Sequence, residues 1–313
     1  IRKAGGVYLA ILDLLKKYGT DNITMNCLGG FAQGSLPAYP CLGLMEILND
    51  GGQGVCEAMP DDILLIMVRS GDEYVAGALN IIGGDCLDKG PSNLQLLHAI
   101  RHLMDTGAKV KLLGGNHDVR LLVGIRAMML KRHTLTEHLF VRMGPKVIPL
   151  LKEVHDTYLN HKKALRGIPS DKRCRHKLFP SDRWFEEFPE AATSLLSEPA
   201  IDRELSRMRH KVDGFEYACQ AAGLSMRQVY ATAQKCRDLF FAHHGEFRWF
   251  VKHMQLTHRA GSFLFVHAGL DDRIAKKLEK HSIKHLNKLF HRKLQRKPFK
   301  FYYETDANTM RNK

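Results

Sequence analysis

The 313 residues are 44% hydrophobic and 26% charged, an ordinary balance for a folded globular chain that excludes wholesale disorder. A formal charge of +14 points to anionic partners such as phosphate-bearing substrates, nucleic acid or acidic lipid, without choosing among them. No apolar run is long enough for a membrane span, and seven cysteines without a CxxC pair argue for reduced thiols in a cytoplasmic setting rather than a secreted disulfide framework.

The chain opens Ile1-Arg2-Lys3 without an initiator Met or a signal-peptide apolar region, as expected of a trimmed chain or fragment. From 7 to 18 the apolar residues fall on one helical face, and Gly19 follows as a helix-ending glycine. Residues 23–28 read as a strand running into the glycine-rich turn 29–34, and 40–48 as a helix opened by Pro40. Segments 77–84 and 108–115 are apolar strands ending in glycines, with a helical pattern over 93–104 between them, the order of a βαβ unit.

After Arg120 the pattern becomes helical. Residues 147–158 repeat with helical period, and 225–241 open with Ser225 and Gln228, a capping-box pair. The polar, proline-marked stretch 167–189 reads as loop. A buried strand returns at 262–266, followed by a Lys-, Arg- and His-rich stretch over 273–300 with apolar residues at helical spacing, the mark of a surface helix with a solvated basic face. The expected division is an α/β core over 1–120, a mostly helical insertion over 121–260, and a return to the core with a basic helical segment over 261–313.

Chemistry-bearing residues collect at three expected strand ends: Gly84-Asp85-Cys86-Leu87-Asp88-Lys89-Gly90, Gly115-Asn116-His117-Asp118 and Val266-His267-Ala268-Gly269-Leu270. Ligands of open α/β sheets bind in the loops beyond the carboxyl ends of strands, so the three segments are expected to converge. A lone Gly-Asp at a strand end is an ordinary turn, and a lone histidine after a strand is more often packed than a ligand. The combination carries the reading. Asp85 offers a carboxylate able to bridge two divalent cations, Asn116 an amide oxygen and His267 an imidazole nitrogen, donors suited to Mn, Fe or Zn. His117 is placed to protonate a leaving oxygen, with Asp118 expected at its other ring nitrogen. Cys86 reads as packing.

These segments resemble the calcineurin-like metallophosphoesterases: GDCLDKG is similar to the family's GDxxDRG, GGNHD to GNH[DE], and VHAGL to the HAG or HGG segment. The wording is closest to the phosphoprotein phosphatase and diadenosine-tetraphosphatase branch, and the 31 positions between Asp85 and Asn116 suit its strand-helix-strand connection. The resemblance implies a β-sandwich core flanked by helices, two divalent ions, and hydrolysis of a phosphomonoester or nucleotide-type anhydride by metal-activated water. Asp85 would be the bridging ligand, Asn116 and His267 ligands of the second ion, and His117 the acid backed by Asp118. Lys89 stands where the family carries a phosphate-gripping Arg, and supplies a point charge without the bidentate fork.

Two family motifs are missing. Where the first, DxHG, belongs, the chain reads Phe31-Ala32-Gln33-Gly34, leaving Gln33 as a weak contact for the first ion; the late GHxH is absent, as a truncated chain would show. His243-His244-Gly245 reads as surface rather than as a substitute. The expectation of two ions therefore narrows to include a single bound ion, and two activities stay open. One is a phosphoesterase acting on a phosphorylated small molecule, nucleotide or phosphoprotein. The other is an impaired relative that binds phosphorylated ligands or a protein partner. Nucleic-acid binding by the basic segment after Arg273 has weaker support, since no reading motif accompanies the charge.

Overall fold

A computed structural model describes residues 2–19, 22–25, 53–56, 79–88, 92–161, 163–261, 263–267, 269 and 272–303. The chain divides into two compact units, 1–72 and 73–313. In the first, helix α1 (Arg2–Tyr18) ends on Lys16 and Lys17, cations that complement the negative end of its dipole, and closes at Gly19 with φ +59°. Strands β1 (Asn22–Met25) and β2 (Gln53–Cys56) pair in parallel, Asn22 opposite Gln53. The expected helix over 40–48 and the position of Gln33 lie outside the described residues.

The second unit contains the expected βαβ arrangement. Strands β3 (Leu79–Ile82) and β4 (Lys109–Leu113) are parallel, Leu79 opposite Lys109, and helix α2 (Asn93–Asp105) connects them. Buried Leu94, Leu97, Ile100 and Leu103 form the helix's inner stripe. Each fully buried side chain of this kind contributes roughly 1.5–3 kcal/mol over an exposed one. No side chain of its own caps the start of α2. Instead Glu153 reaches across to accept from the Asn93 and Leu94 amides at 2.9 and 3.0 Å.

Helices then dominate: α3 (Asn116–Ala127), α4 (Ile148–Tyr158), α5 (Asp171–Leu178), α6 (Trp184–Ala192), α7 (Glu198–Ala221), α8 (Met226–Phe241) and α9 (Arg248–His253). Ser225 caps α8 reciprocally with Gln228, as its sequence requires: Ser225 Oγ accepts from the Gln228 amide at 3.3 Å, and Gln228 Oε1 accepts from the Ser225 amide at 2.8 Å. Val229, Ala233, Cys236 and Phe240 are buried along its inner face. An aromatic cluster of Trp184, Phe188 and His138 fills the interior, with Trp184 and Phe188 stacked at 4.4 Å and the indole N–H donating to the Thr134 carbonyl at 2.8 Å.

The stretch 167–189 is corrected from loop to helix over α5 and most of α6. In α5 only Cys174 and Leu178 are buried, too few apolar positions for a helical period to be seen. Pro189 lies inside α6, where it breaks the sequence signal without ending the helix. The helical run also stops sooner than the expected boundary at 260. Strand β5 (Met254–Gln255) pairs in parallel with β4, giving sheet order β3-β4-β5, and β6 (Thr257–Ala260) pairs antiparallel with β7 (Phe263–Val266). Two- and four-residue strands are too short to show alternation.

Asn287 pins this corner. It lies on α11 (Ile283–Arg296), between α10 (Asp272–Lys280) and α12 (Pro298–Tyr303), and its amide oxygen accepts from Leu256 and Thr257. Helix α11 buries Leu286, Phe290 and Leu294 and turns its basic residues outward. The described strands and helices make a mixed α/β architecture. No helix among the described residues is long and apolar enough to cross a membrane.

Candidate functional site

The loops leaving β3 and β4 interlock. Gly84 has φ +102°, and a Cβ there would stand 2.6 Å from the Gly115 nitrogen and 2.9 Å from His267 Nδ1. A Cβ on Gly115 would overlap the Asp85 amide and carboxylate. Asp85 and Asp88 both have left-handed backbones, φ +58° and +60°, conformations that non-glycine residues hold only when their surroundings fix them.

Those surroundings are built largely by Asp118. Its Oδ2 accepts from the amides of Asp85 (2.8 Å) and Gly115 (3.0 Å), and its Oδ1 from that of Leu87 (2.9 Å). Burial first, then the nearby Asp85 carboxylate, push its pKa up to about 8, while the three backbone donors pull the other way. This corrects its expected role. Asp118 ties two loops together, and the partner of His117 Nδ1 is Asp88, whose amide in turn donates to Asn93 Oδ1 at 2.8 Å. Asp88 was visible in the sequence as the second acid of GDCLDKG but carried no assigned role. Its spacing from Asp85 was the available signal.

Asp85 and His267 meet here, with Asn116 one residue from His117 at the start of α3. Asp85 Oδ1 accepts from the His117 amide at 2.9 Å and stands 3.4 Å from His267 Nε2. His267 Nδ1 lies 2.8 Å from the Gly83 carbonyl oxygen, which can only accept, so Nδ1 carries a proton and, in the neutral ring, the Nε2 lone pair faces Asp85. Two facing acceptors call for a proton or a cation between them. The amide oxygen of Asn116 is buried without a hydrogen-bond partner, a state that costs about 1–3 kcal/mol unless a ligand satisfies it.

A carboxylate oxygen, an imidazole nitrogen anchored through its other nitrogen, and an unsatisfied amide oxygen suit one divalent ion. Among the described residues no group of three or more His, Cys, Asp or Glu forms a metal cluster, so the fit rests on Asn116 as the third donor. Gln33 and Lys89 lie outside the described residues. His243 and His244 are exposed neighbours on the surface. Arg120, one turn beyond Asn116 on α3, was not foreseen. Burial lowers its pKa most, while the charges of Asp88 and Asp85 raise it. No family model, curated protein or solved structure matches the chain.

Proposed function

We propose that the chain is a calcineurin-like metallophosphoesterase that hydrolyses a phosphate ester or phosphoanhydride. The observation that carries this reading is the His117–Asp88 pair set beside Asp85, Asn116 and His267. Asp85, Asn116 and His267 would hold a divalent ion, which when bound supplies a Lewis acid and lowers the pKa of water.

The chain's own residues perform the rest. Asp88 fixes the proton on His117 Nδ1 when the ring is neutral and stabilises the charged ring, so Nε2 is the nitrogen that delivers a proton. In hydrolysis the water oxygen forms the new P–O bond while the bond to the leaving oxygen breaks. That oxygen takes the proton from His117 Nε2, and a proton from the water restores it. Asp85 and Asp88, both in left-handed turns, each bring a carboxylate oxygen to His117, the first to its backbone amide and the second to its Nδ1.

A second reading is an impaired relative that binds phosphorylated ligands, favoured by Phe31 and Gln33 in place of the first motif's acid and histidine. Turnover of p-nitrophenyl phosphate with and without Mn²⁺ separates them. The enzyme reading expects metal-dependent turnover that Asp85→Asn abolishes together with bound metal. Absence of turnover in the wild type under all divalent ions, with phosphate binding retained, would support the impaired reading.

A further inference from the structure

The helical segment adds a cationic wall next to Asn116. A cleft of about 190 Å³ is lined by Asn116, Arg120, Arg142, Arg203, Glu204 and Arg207, among others. Two of these charges are already spent on each other. Arg142 Nε donates to Glu204 Oε1 at 2.8 Å, and its guanidinium stacks on the Tyr302 ring at 4.5 Å. The Glu204 carboxylate, 5% exposed, is fully engaged there.

Arg120, Arg203 and Arg207 make no ion pair or hydrogen bond with a described residue. Arg203 and Arg207 stand one turn apart on the exposed side of α7, where solvated arginines are ordinary. Arg120 differs, being half-buried and rising from the helix whose first turn carries Asn116 and His117. Nearby Lys211, whose ammonium donates to the Arg142 carbonyl, is pushed down to about 7, first by burial and then by Arg142 and Arg120. Arg120 is repelled by Arg142 and Arg207 and only partly compensated by Asp88 and Asp85, and an anion in the cavity offsets that repulsion.

We propose that this cleft holds the second phosphate of a compact bisphosphate or diphosphate whose other phosphate lies at Asp85, Asn116 and His117. The proposal rests on the phosphoesterase reading for the scissile phosphate only. Asn116 lines the cleft and also carries the unsatisfied amide oxygen of the first site, and Arg120 follows it by one turn of α3, which makes the two phosphates near neighbours on the ligand. Size restricts the class further. Pockets for drug-sized ligands run about 300–1,000 Å³; at about 190 Å³ this cleft matches a single phosphate group.

Calorimetry tests the cleft without turnover. Inorganic pyrophosphate and inorganic phosphate are titrated into the full chain, the Arg203→Ala/Arg207→Ala variant and Arg209→Ala, which removes a charge from the same helix outside the cleft. The proposal expects pyrophosphate to bind more tightly than phosphate, with the double variant losing on the order of tenfold per arginine and Arg209→Ala retaining the preference. Equal affinity for the two anions, or equal losses in both variants, overturns it.

Turnover then separates the two readings. With Mn²⁺ present, kcat/KM for propane-1,3-diyl bisphosphate relative to 3-hydroxypropyl phosphate should fall in the double variant. A ratio unchanged by the double variant defeats the cleft and leaves the phosphoesterase standing. Pyrophosphate binding that behaves as expected in a chain that hydrolyses neither ester keeps the cleft and defeats the phosphoesterase.

Discussion

His117 and Asp88 divide one task between a ring and its anchor, which makes their loss distinguishable from loss of metal. His117→Asn is expected to leave metal content nearly intact and to lower the rate by about 10²–10⁴. The loss should be largest for alkyl phosphates and smallest for p-nitrophenyl phosphate, whose leaving oxygen needs little protonation. Asp88→Asn should follow the same leaving-group trend with a smaller loss, since the His117 backbone stays in place through the hydrogen bond its N–H donates to Asp85 Oδ1. Rates on both esters and metal content by mass spectrometry check this; equal losses on both esters contradict the acid role. The residues at the site were legible as types and spacings, but their pairing was not. Asp118 adjoins His117 in sequence and was the natural partner. The helix instead turns its carboxyl back onto the loop amides, and the left-handed backbone of Asp88 brings the more distant acid to the ring.

Elements that carry a periodic apolar stripe were readable, as α2 and α8 show, and so was the reciprocal cap at Ser225. Elements that bury only two side chains, such as α5, or span two residues, such as β5, were not. The glycines between elements give the sharpest test at this scale. Gly83 has open space around its Cβ position, whereas Gly115 has the backbone and side chain of Asp85 in the way. Gly115→Ala should therefore cost about 1–3 kcal/mol of stability, the usual penalty for overpacking, and disrupt the site. Gly83→Ala should stay within a few tenths of wild type. Urea unfolding midpoints of the two variants decide it, and similar midpoints would show that the loops are not interlocked.

At the scale of the molecule, the interior stores a pH dependence. Burial pushes His138 down from 6.5 to about 3, only partly opposed by Glu204. Between those values the unfolded chain binds a proton that the folded chain refuses, so stability falls as pH drops, by up to about 1.4 kcal/mol per unit. Glu204 acts in the same direction lower down. Burial works against its charge, but Arg142, then His138, hold it at about 2, so the stability it contributes above 4.5 is lost as pH falls toward 2. His138→Phe should flatten the slope of unfolding free energy against pH between about 6 and 4; an unchanged slope would place the acid sensitivity elsewhere. This helical interior was anticipated as helical from 121 onward, while its contribution of Arg142, Arg203 and Arg207 to a cleft at Asn116 was not. Those arginines lie far from Asn116 in sequence, and only the fold brings them together.

The three amides that share the Asp118 carboxyl also share one fate in deuterated water. Asp85, Leu87 and Gly115 belong to loops separated by a whole βαβ crossover, yet none can exchange its proton until the same side chain lets go. Their exchange should therefore follow a single opening event with one common free energy. Asp118→Ala should accelerate all three together while leaving amides in the middle of α2 near their original rates. Rates that scatter independently in the wild type would mean that the two loops breathe apart.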